Sequence, residues 1–207
     1  MTGRAADPIE QRCVASRREL VRRGSAAAAA LAFGGGIGLA LRPTEAVAAP
    51  SLSQDREIFN FALLLEYLQA AFYAEAVRRR ALTGDVRSFA EIVSEHEQAH
   101  VDFLRKALGS HARPRPQFDF GHATRSERSF LKAAVLLENT GVLAYNGQAA
   151  NLTKPALTAA AEIVSVEGRH AAWISALAGV APAPRAADVG MSSTTAVRTL
   201  RSTGFLR

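Results

Sequence analysis

The sequence predicts an all-α protein: an antiparallel four-helix bundle with a long crossover between its second and third helices, preceded by an N-terminal signal peptide. Three observations carry this. Aromatic residues make up only 7% of the 207 residues while alanine is abundant, a composition that favours helices over strands. Four segments after residue 50 repeat apolar residues at i, i+3, i+4 and i+7, the period of one helix face. The 17 residues 109–125 (GSHARPRPQFDFGHATR) interrupt that period with two prolines, which divides the four segments into two pairs.

Residues 1–48 hold seven Arg and four acids, including Ser16-Arg17-Arg18-Glu19-Leu20-Val21. An apolar stretch rich in Ala and Gly follows over 24–41, and then Ala46-Val47-Ala48. This order reads as a twin-arginine export signal cut after Ala48, handed to the twin-arginine export machinery for a periplasmic or extracellular destination. The alternative is an uncleaved anchor, since about 18 apolar residues is near the lower limit for spanning. The Gly34-Gly35-Gly36 run and the weak hydrophobicity argue against it. The mature chain then comprises a bundle over 49–184 and a C-terminal tail over 185–207. At 48% hydrophobic residues, it can bury a full core as one domain.

The only cysteine, Cys13, lies in the leader, which excludes disulfides and thiolate metal sites from the mature chain. The net charge of +6 is half leader: the remainder carries 18 basic and 15 acidic residues. No basic run is interleaved with aromatics, so this is no nucleic-acid footprint.

The first helix, α1, is expected from about Ser53 to Leu82, with the stripe Phe59, Ala62, Leu63, Glu66, Ala70, Tyr73, Val77. Thr83-Gly84-Asp85 ends it. The second, α2, follows with Ser88-Phe-Ala-Glu91 as a capping box and runs to about Gly109. Its stripe is Phe89, Val93, Glu97, His100, Leu104, Ala107. Residues 109–125 can stretch roughly 50 Å, more than the length of a 24-residue helix at about 36 Å. They can therefore run the whole bundle. Thr124-Arg-Ser-Glu127 reads as a second capping box opening α3, whose stripe is Leu131, Ala134, Val135, Glu138, Val142, Tyr145. Lys154-Pro155 starts α4, with proline tolerated in the first turn. Its stripe is Ala160, Ile163, Glu167, His170, Ile174, Leu177, and Gly179 closes it. A short helix over Ser193–Arg201 is expected in the tail, but no clearly amphipathic fifth helix.

The chemistry sits in an internal repeat. Glu97-Gln-Ala-His100 places a carboxylate and an imidazole on one helix face, half of a metal site. Glu167-Gly-Arg-His170 is its second copy, and an aromatic follows each His by three residues, Phe103 and Trp173. Upstream of each copy, Leu-Leu-Glu is followed by a tyrosine seven residues on: Glu66 with Tyr73, Glu138 with Tyr145. Seven residues is nearly two turns, so each Glu and Tyr share a face. Four carboxylates on apolar stripes cost several kcal/mol apiece unless cations compensate them, and two divalent metals do so.

This order resembles the ferritin-like superfamily of di-iron carboxylate bundles, in which two helices give one Glu each and two give Glu-x-x-His. FALLLEYLQAAFY, EHEQAH, YNG and GRHAAW are most similar to the secreted ferritin-like proteins grouped with desiccation- and stress-related proteins, over about residues 52–207. The resemblance implies a fold and a site more than an activity. It implies six ligands, Glu66, Glu97, His100, Glu138, Glu167 and His170, with Glu97 and Glu167 bridging and Glu66 and Glu138 each capping one of two metal ions.

Carboxylates with two imidazoles suit iron first and manganese next, and zinc in vitro. Tyr73 and Tyr145 are expected to hydrogen-bond ligand carboxylates; a one-electron relay or plain core packing are the other readings. Glu75, Glu95, Asp102 and His96 fall off the stripes and are expected at the surface. His111 and His122 lie in the crossover, and Asp119-Phe-Gly-His122 copies the ligand spacing without a helix to align it.

Three functions compete: a di-iron oxidase or peroxidase consuming O2 or peroxide, a manganese catalase-like activity, and a non-enzymatic stress protein with a structural or vestigial site. Caged iron storage is disfavoured by the tail, and a monomer or small homo-oligomer is expected.

Overall fold

Ser51 opens the first helix by accepting the Gln54 N–H on its hydroxyl at 3.3 Å. The computed structural model describes residues 49–207; the expected export signal and its cleavage after Ala48 lie outside the described residues. Within them α1 spans Leu52–Arg79, α2 Gly84–Leu108, α3 Glu127–Gln148, α4 Lys154–Leu177 and α5 Ser193–Ser202. Short 3-10 turns occupy Gly109–His111 and Ala149–Asn151. Among the described residues no helix is long and apolar enough to cross a membrane.

The helices stand where the apolar stripes put them, but their ends are set by local turns and tertiary partners together. α1 stops at Arg79, short of Leu82, because Arg80 turns into the left-handed region (φ 54°) and its N–H returns to the Val77 carbonyl. The expected cap at Ser88 is wrong. α2 begins earlier, after Thr83, and the Ser88 hydroxyl donates to the Gly84 carbonyl from inside the helix. The capping box at Thr124 also fails. Ser126 caps α3 by accepting the Ser129 N–H, while the Thr124 hydroxyl donates to Glu75 at 2.6 Å.

Glu127 is used elsewhere too. Its Oε2 accepts both the N–H and the hydroxyl of Thr83, at 3.1 and 3.0 Å. Asp55 does the same for Thr153 at the start of α4, at 2.9 and 2.6 Å. In each case an acid in the first turn of one hairpin satisfies orphan donors at a helix start of the other. The internal repeat thus reaches beyond the Glu and His positions.

Short connectors make α1–α2 and α3–α4 antiparallel hairpins, each packed along its length. The crossover between them lies along α1. Asn60 bonds the His111 carbonyl and the Arg113 N–H, the Tyr67 hydroxyl donates to the Arg113 carbonyl, Phe120 packs edge-on against Phe72, and Thr124 reaches Glu75. From Asn60 to Glu75 is about 22 Å of helix. Glu75 is thereby half-buried under the crossover, not solvated as expected; Glu95 and Asp102 are exposed as expected.

Two apolar clusters fill the interior. One gathers Phe72, Tyr73, Phe89, Phe130, Leu137 and Ile174; the other gathers Phe59, Leu63, Leu104, Tyr145, Leu152 and Ile163. On α2 and α4 the chain leaves one cluster, passes the Glu-x-x-His position, and enters the other, whereas on α1 the two clusters interleave around Glu66. The polar layer is therefore sandwiched between them. One stripe position differs from expectation: Ala107 is exposed and its neighbour Leu108 is buried.

The tail packs on this frame. Contrary to expectation, α5 is amphipathic, with Ala196 and Leu200 buried, and it lies against α3. A stripe of two buried residues in ten, among Thr and Arg, is too short to stand out as periodic. Met191 N–H bonds the Leu143 carbonyl at 2.7 Å. Phe205 joins Phe72 and Phe120, and Arg207 pairs with Asp119. That ion pair accounts for Asp119, which lies apart from the polar layer together with the exposed His122.

Candidate metal centre

The polar layer is built from one Glu on each of α1 and α3 and a Glu-x-x-His on each of α2 and α4. Glu66, Glu97, Glu138 and Glu167 have no exposed surface, and His100 and His170 are buried. Their ligating atoms form two groups, each lying within 4.8 Å of one another: Glu66, Glu97, His100, Glu167 and Glu97, Glu138, Glu167, His170. Glu97 and Glu167 belong to both.

The two imidazoles face these acids through Nδ1. His100 Nδ1 lies 3.3 Å from Glu66 Oε2, 3.4 Å from Glu97 Oε2 and 3.2 Å from Glu167 Oε1. His170 Nδ1 lies 3.1 Å from Glu97 Oε1, 3.5 Å from Glu138 Oε2 and 3.7 Å from Glu167 Oε1. Glu97 thus turns one oxygen toward each ring, while a single oxygen of Glu167 faces both.

One N–H cannot serve three acceptors, and none of these contacts has hydrogen-bond alignment. Seven buried side-chain atoms among the described residues lack any hydrogen-bond partner: Glu66 Oε2, both oxygens of Glu97, His100 Nδ1, Glu138 Oε2, Glu167 Oε1 and His170 Nδ1. All seven belong to these six residues and converge on one layer. Buried polar groups are almost always paired, so a cluster of lone pairs without donors fits cations. Four carboxylates with two neutral imidazoles match the charge of two divalent ions, and the oxygen and imidazole donor set suits iron, manganese or zinc.

Without cations the acids and His100 share protons. Burial raises Glu97 well above the carboxylate range, and the charges of Glu167 and Glu66 add to it. Burial likewise pushes Glu167 to about 8, helped by Glu66. Burial alone would lower His100, but Glu167, Glu66 and Glu97 outweigh it and push it to about 12. Glu66 is lowered: burial opposes this, but the neighbouring His100 and Glu97 and the Tyr145 hydroxyl prevail.

The tyrosines contact the layer crosswise. Tyr73 on α1 donates to Glu138 Oε1 at 2.5 Å, and Tyr145 on α3 donates to Glu66 Oε1 at 2.7 Å. Burial and these carboxylates raise both phenols well above their usual value, which keeps them protonated donors. Each bond occupies one oxygen of its Glu and leaves the other, unpartnered one facing the cluster.

All six predicted ligand positions and both tyrosines meet here. Three contributors escaped the sequence reading. Gln69, buried on α1, donates from Nε2 to Glu138 Oε1 at 3.1 Å and to Glu167 Oε2 at 3.5 Å. Gly141 gives Glu167 room: a Cβ there would sit 2.9 Å from Glu167 Oε2. His96, assigned to the surface, is solvent-exposed, yet its Nδ1 lies 2.9 Å from His170 Nε2 and the rings stack. The signals were present. Gln69 and Gly141 each stand three residues after a Glu of the layer and four before a Tyr, on the same face, and His96 precedes His100 by one turn.

A family model described as ferritin-like domain matches residues 54–180. No curated protein matches the chain.

Proposed function

The chain belongs to the ferritin-like domain family, and on that premise we propose that it is an exported protein in which Glu66, Glu97, His100, Glu138, Glu167 and His170 hold two divalent metal ions. Iron is the first choice and manganese the second, and the centre consumes O2 or peroxide in stress protection, as a member of the secreted desiccation-related group. The observation that carries this reading is the convergence of seven partnerless buried atoms on one layer. Glu97 and Glu167 would be the ligands common to both ions, because each belongs to both four-residue groups.

When bound, iron or manganese supplies one-electron chemistry toward O2 or peroxide. The chain's own residues hold the site ready for it. Tyr73, Tyr145 and Gln69 fix carboxylate orientation by donating to the oxygens that face away from the cluster. The apolar clusters on both sides exclude bulk water, which strengthens every charge interaction inside. With all four carboxylates fully buried, the site suits a small diffusible oxidant better than a large substrate. The twin-arginine leader fits, since that route carries proteins already folded around their cofactor.

The test is the metal content of natively exported protein, followed by stopped-flow mixing of the Fe(II) form with O2 and with H2O2. Two metals per chain with oxidant consumption supports the reading. Two metals that raise the melting temperature without turnover would make the centre structural, and protein that binds neither Fe(II) nor Mn(II) would make it vestigial. Intact mass beginning at Ala49 checks the export step; residues 1–48 still attached would make the protein anchored.

A further inference from the structure

The two hairpins present nearly matching halves of the centre. Glu66 corresponds to Glu138, Glu97 to Glu167, His100 to His170 and Tyr73 to Tyr145, with the two tyrosine bonds exchanged between halves. Two positions break the match. Gln69 on α1 stands where α3 has Gly141, and His96 on α2 stands where α4 has Val166.

Both differences favour the same half, His96 through His170 and Gln69 through Glu138, while Gln69's longer contact is to the shared Glu167. Gln69 donates to Glu138 and Glu167, and His96 Nδ1 meets His170 Nε2. The opposite half has no counterpart: Glu66 is held by Tyr145 alone, and among the described residues no side chain hydrogen-bonds His100 Nε2. His100 is also the more open of the two, with 11% of its side chain exposed against 3% for His170. Gly141 completes the asymmetry, because the side chain absent there is what leaves Glu167 and Gln69 their space.

We infer that the two metal positions are unequal. The Glu138–His170 position is preorganised and fills first; the Glu66–His100 position fills second and exchanges with solvent. An imidazole that ligates through Nδ1 must carry its proton on Nε2, and His96 Nδ1 accepts that proton in a hydrogen bond, fixing both tautomer and ring orientation. Gln69 joins Tyr73 on Glu138 Oε1 and so leaves only the partnerless Oε2 to meet a cation. Such outer partners are worth about 10–100-fold in metal affinity. Gln69 and His96 are positioning residues, and they act on one position of the pair. This inference rests on the dinuclear reading above.

Titrating the metal-free full chain with Co(II), followed by its visible ligand-field absorption, tests it. The expected isotherm has two steps, the first about 10-fold or more tighter. His96→Leu and Gln69→Leu should each weaken the first step by about 10–100-fold and merge it with the second. His96→Asn, whose Oδ1 can take the place of Nδ1 as acceptor, should restore two steps. His96 is exposed, so its variants should melt like wild type without metal, which separates this effect from misfolding. Glu66→Ala should remove the second step and spare the first. Two equal steps in wild type, or variants that weaken both steps alike, would overturn the inference and leave the dinuclear centre standing. Absence of any bound Co(II) in wild type would instead overturn the dinuclear reading itself.

Discussion

Gly141→Ala separates the needs of the fold from those of the centre. Gly141 lies inside α3, where alanine is the better helix former by about 1 kcal/mol. On backbone grounds alone the substitution therefore stabilises. Its Cβ, however, would sit 2.9 Å from Glu167 Oε2, well inside the 3.4 Å at which ordinary contact begins. The carboxylate must retreat by about half an ångström, against a tolerance of about 0.2 Å for metal–ligand distances. In the metal-free protein that retreat is cheap, because Glu167 Oε1 has no partner to lose and Oε2 holds only a 3.5 Å bond from Gln69.

The expected result is metal-free stability within about 1 kcal/mol of wild type or above it, by urea denaturation. Mn(II) affinity should fall by about 10–100-fold, by the measure of displaced outer partners, with metal retained after desalting as the readout. Wild-type affinity in Gly141→Ala would refute the assignment of Glu167 as a shared ligand. Loss of several kcal/mol in the metal-free state would show instead that the glycine serves helix packing.

Glu97→Ala removes a residue common to both groups, so binding of two metals should fall by more than the roughly 100-fold ceiling for outer partners. Stability of the metal-free variant should not drop, because a partnerless carboxylate leaves an apolar interior; retention of two tightly bound metals contradicts the bridging role. The metal-free protein should also lose stability as pH rises from about 5 to 8. Glu97 and Glu167 titrate above the usual 4.5, Glu167 at about 8, and His100 titrates at about 12 instead of 6.5. These three groups therefore hold more protons in the folded than in the unfolded chain across this window, opposed by the single His96, which burial and His170 lower, and the His100 part vanishes only as pH approaches 12. Melting temperature should fall across that range while Mn(II) affinity rises, since binding displaces those protons; a metal-free melting temperature that climbs with pH refutes the assignment. Asp55→Ala leaves the Thr153 N–H without its acceptor and should cost about 1–3 kcal/mol. Asp55 lies about three turns from Glu66, so metal stoichiometry should remain two per chain, as metal analysis of the purified variant can check.

The all-α class, the four main helices and the six clustered residues were legible in the sequence because they depend on period. A helix turns by a constant angle, so residues that must face one interior recur at i+3, i+4 and i+7, and a repeat of Glu-x6-Tyr and Glu-x2-His is visible without coordinates. Contacts between helices carry no such period, and those only the tertiary structure decided. The capping boxes at Ser88 and Thr124 satisfied local rules, but Thr83 had a donor pair matched to Glu127 and Thr124 a hydroxyl in reach of Glu75, so the helix starts moved. Tyr73 shares a face with Glu66, yet its hydroxyl reaches Glu138 on α3, because seven residues carry it about 10 Å along the axis. His96 stands one residue before Glu97 and about 100° around the helix from it; only the approach of α4 brings His170 Nε2 within 2.9 Å. Sequence period assigns faces, and the packing of one hairpin on the other chooses which atoms on those faces meet.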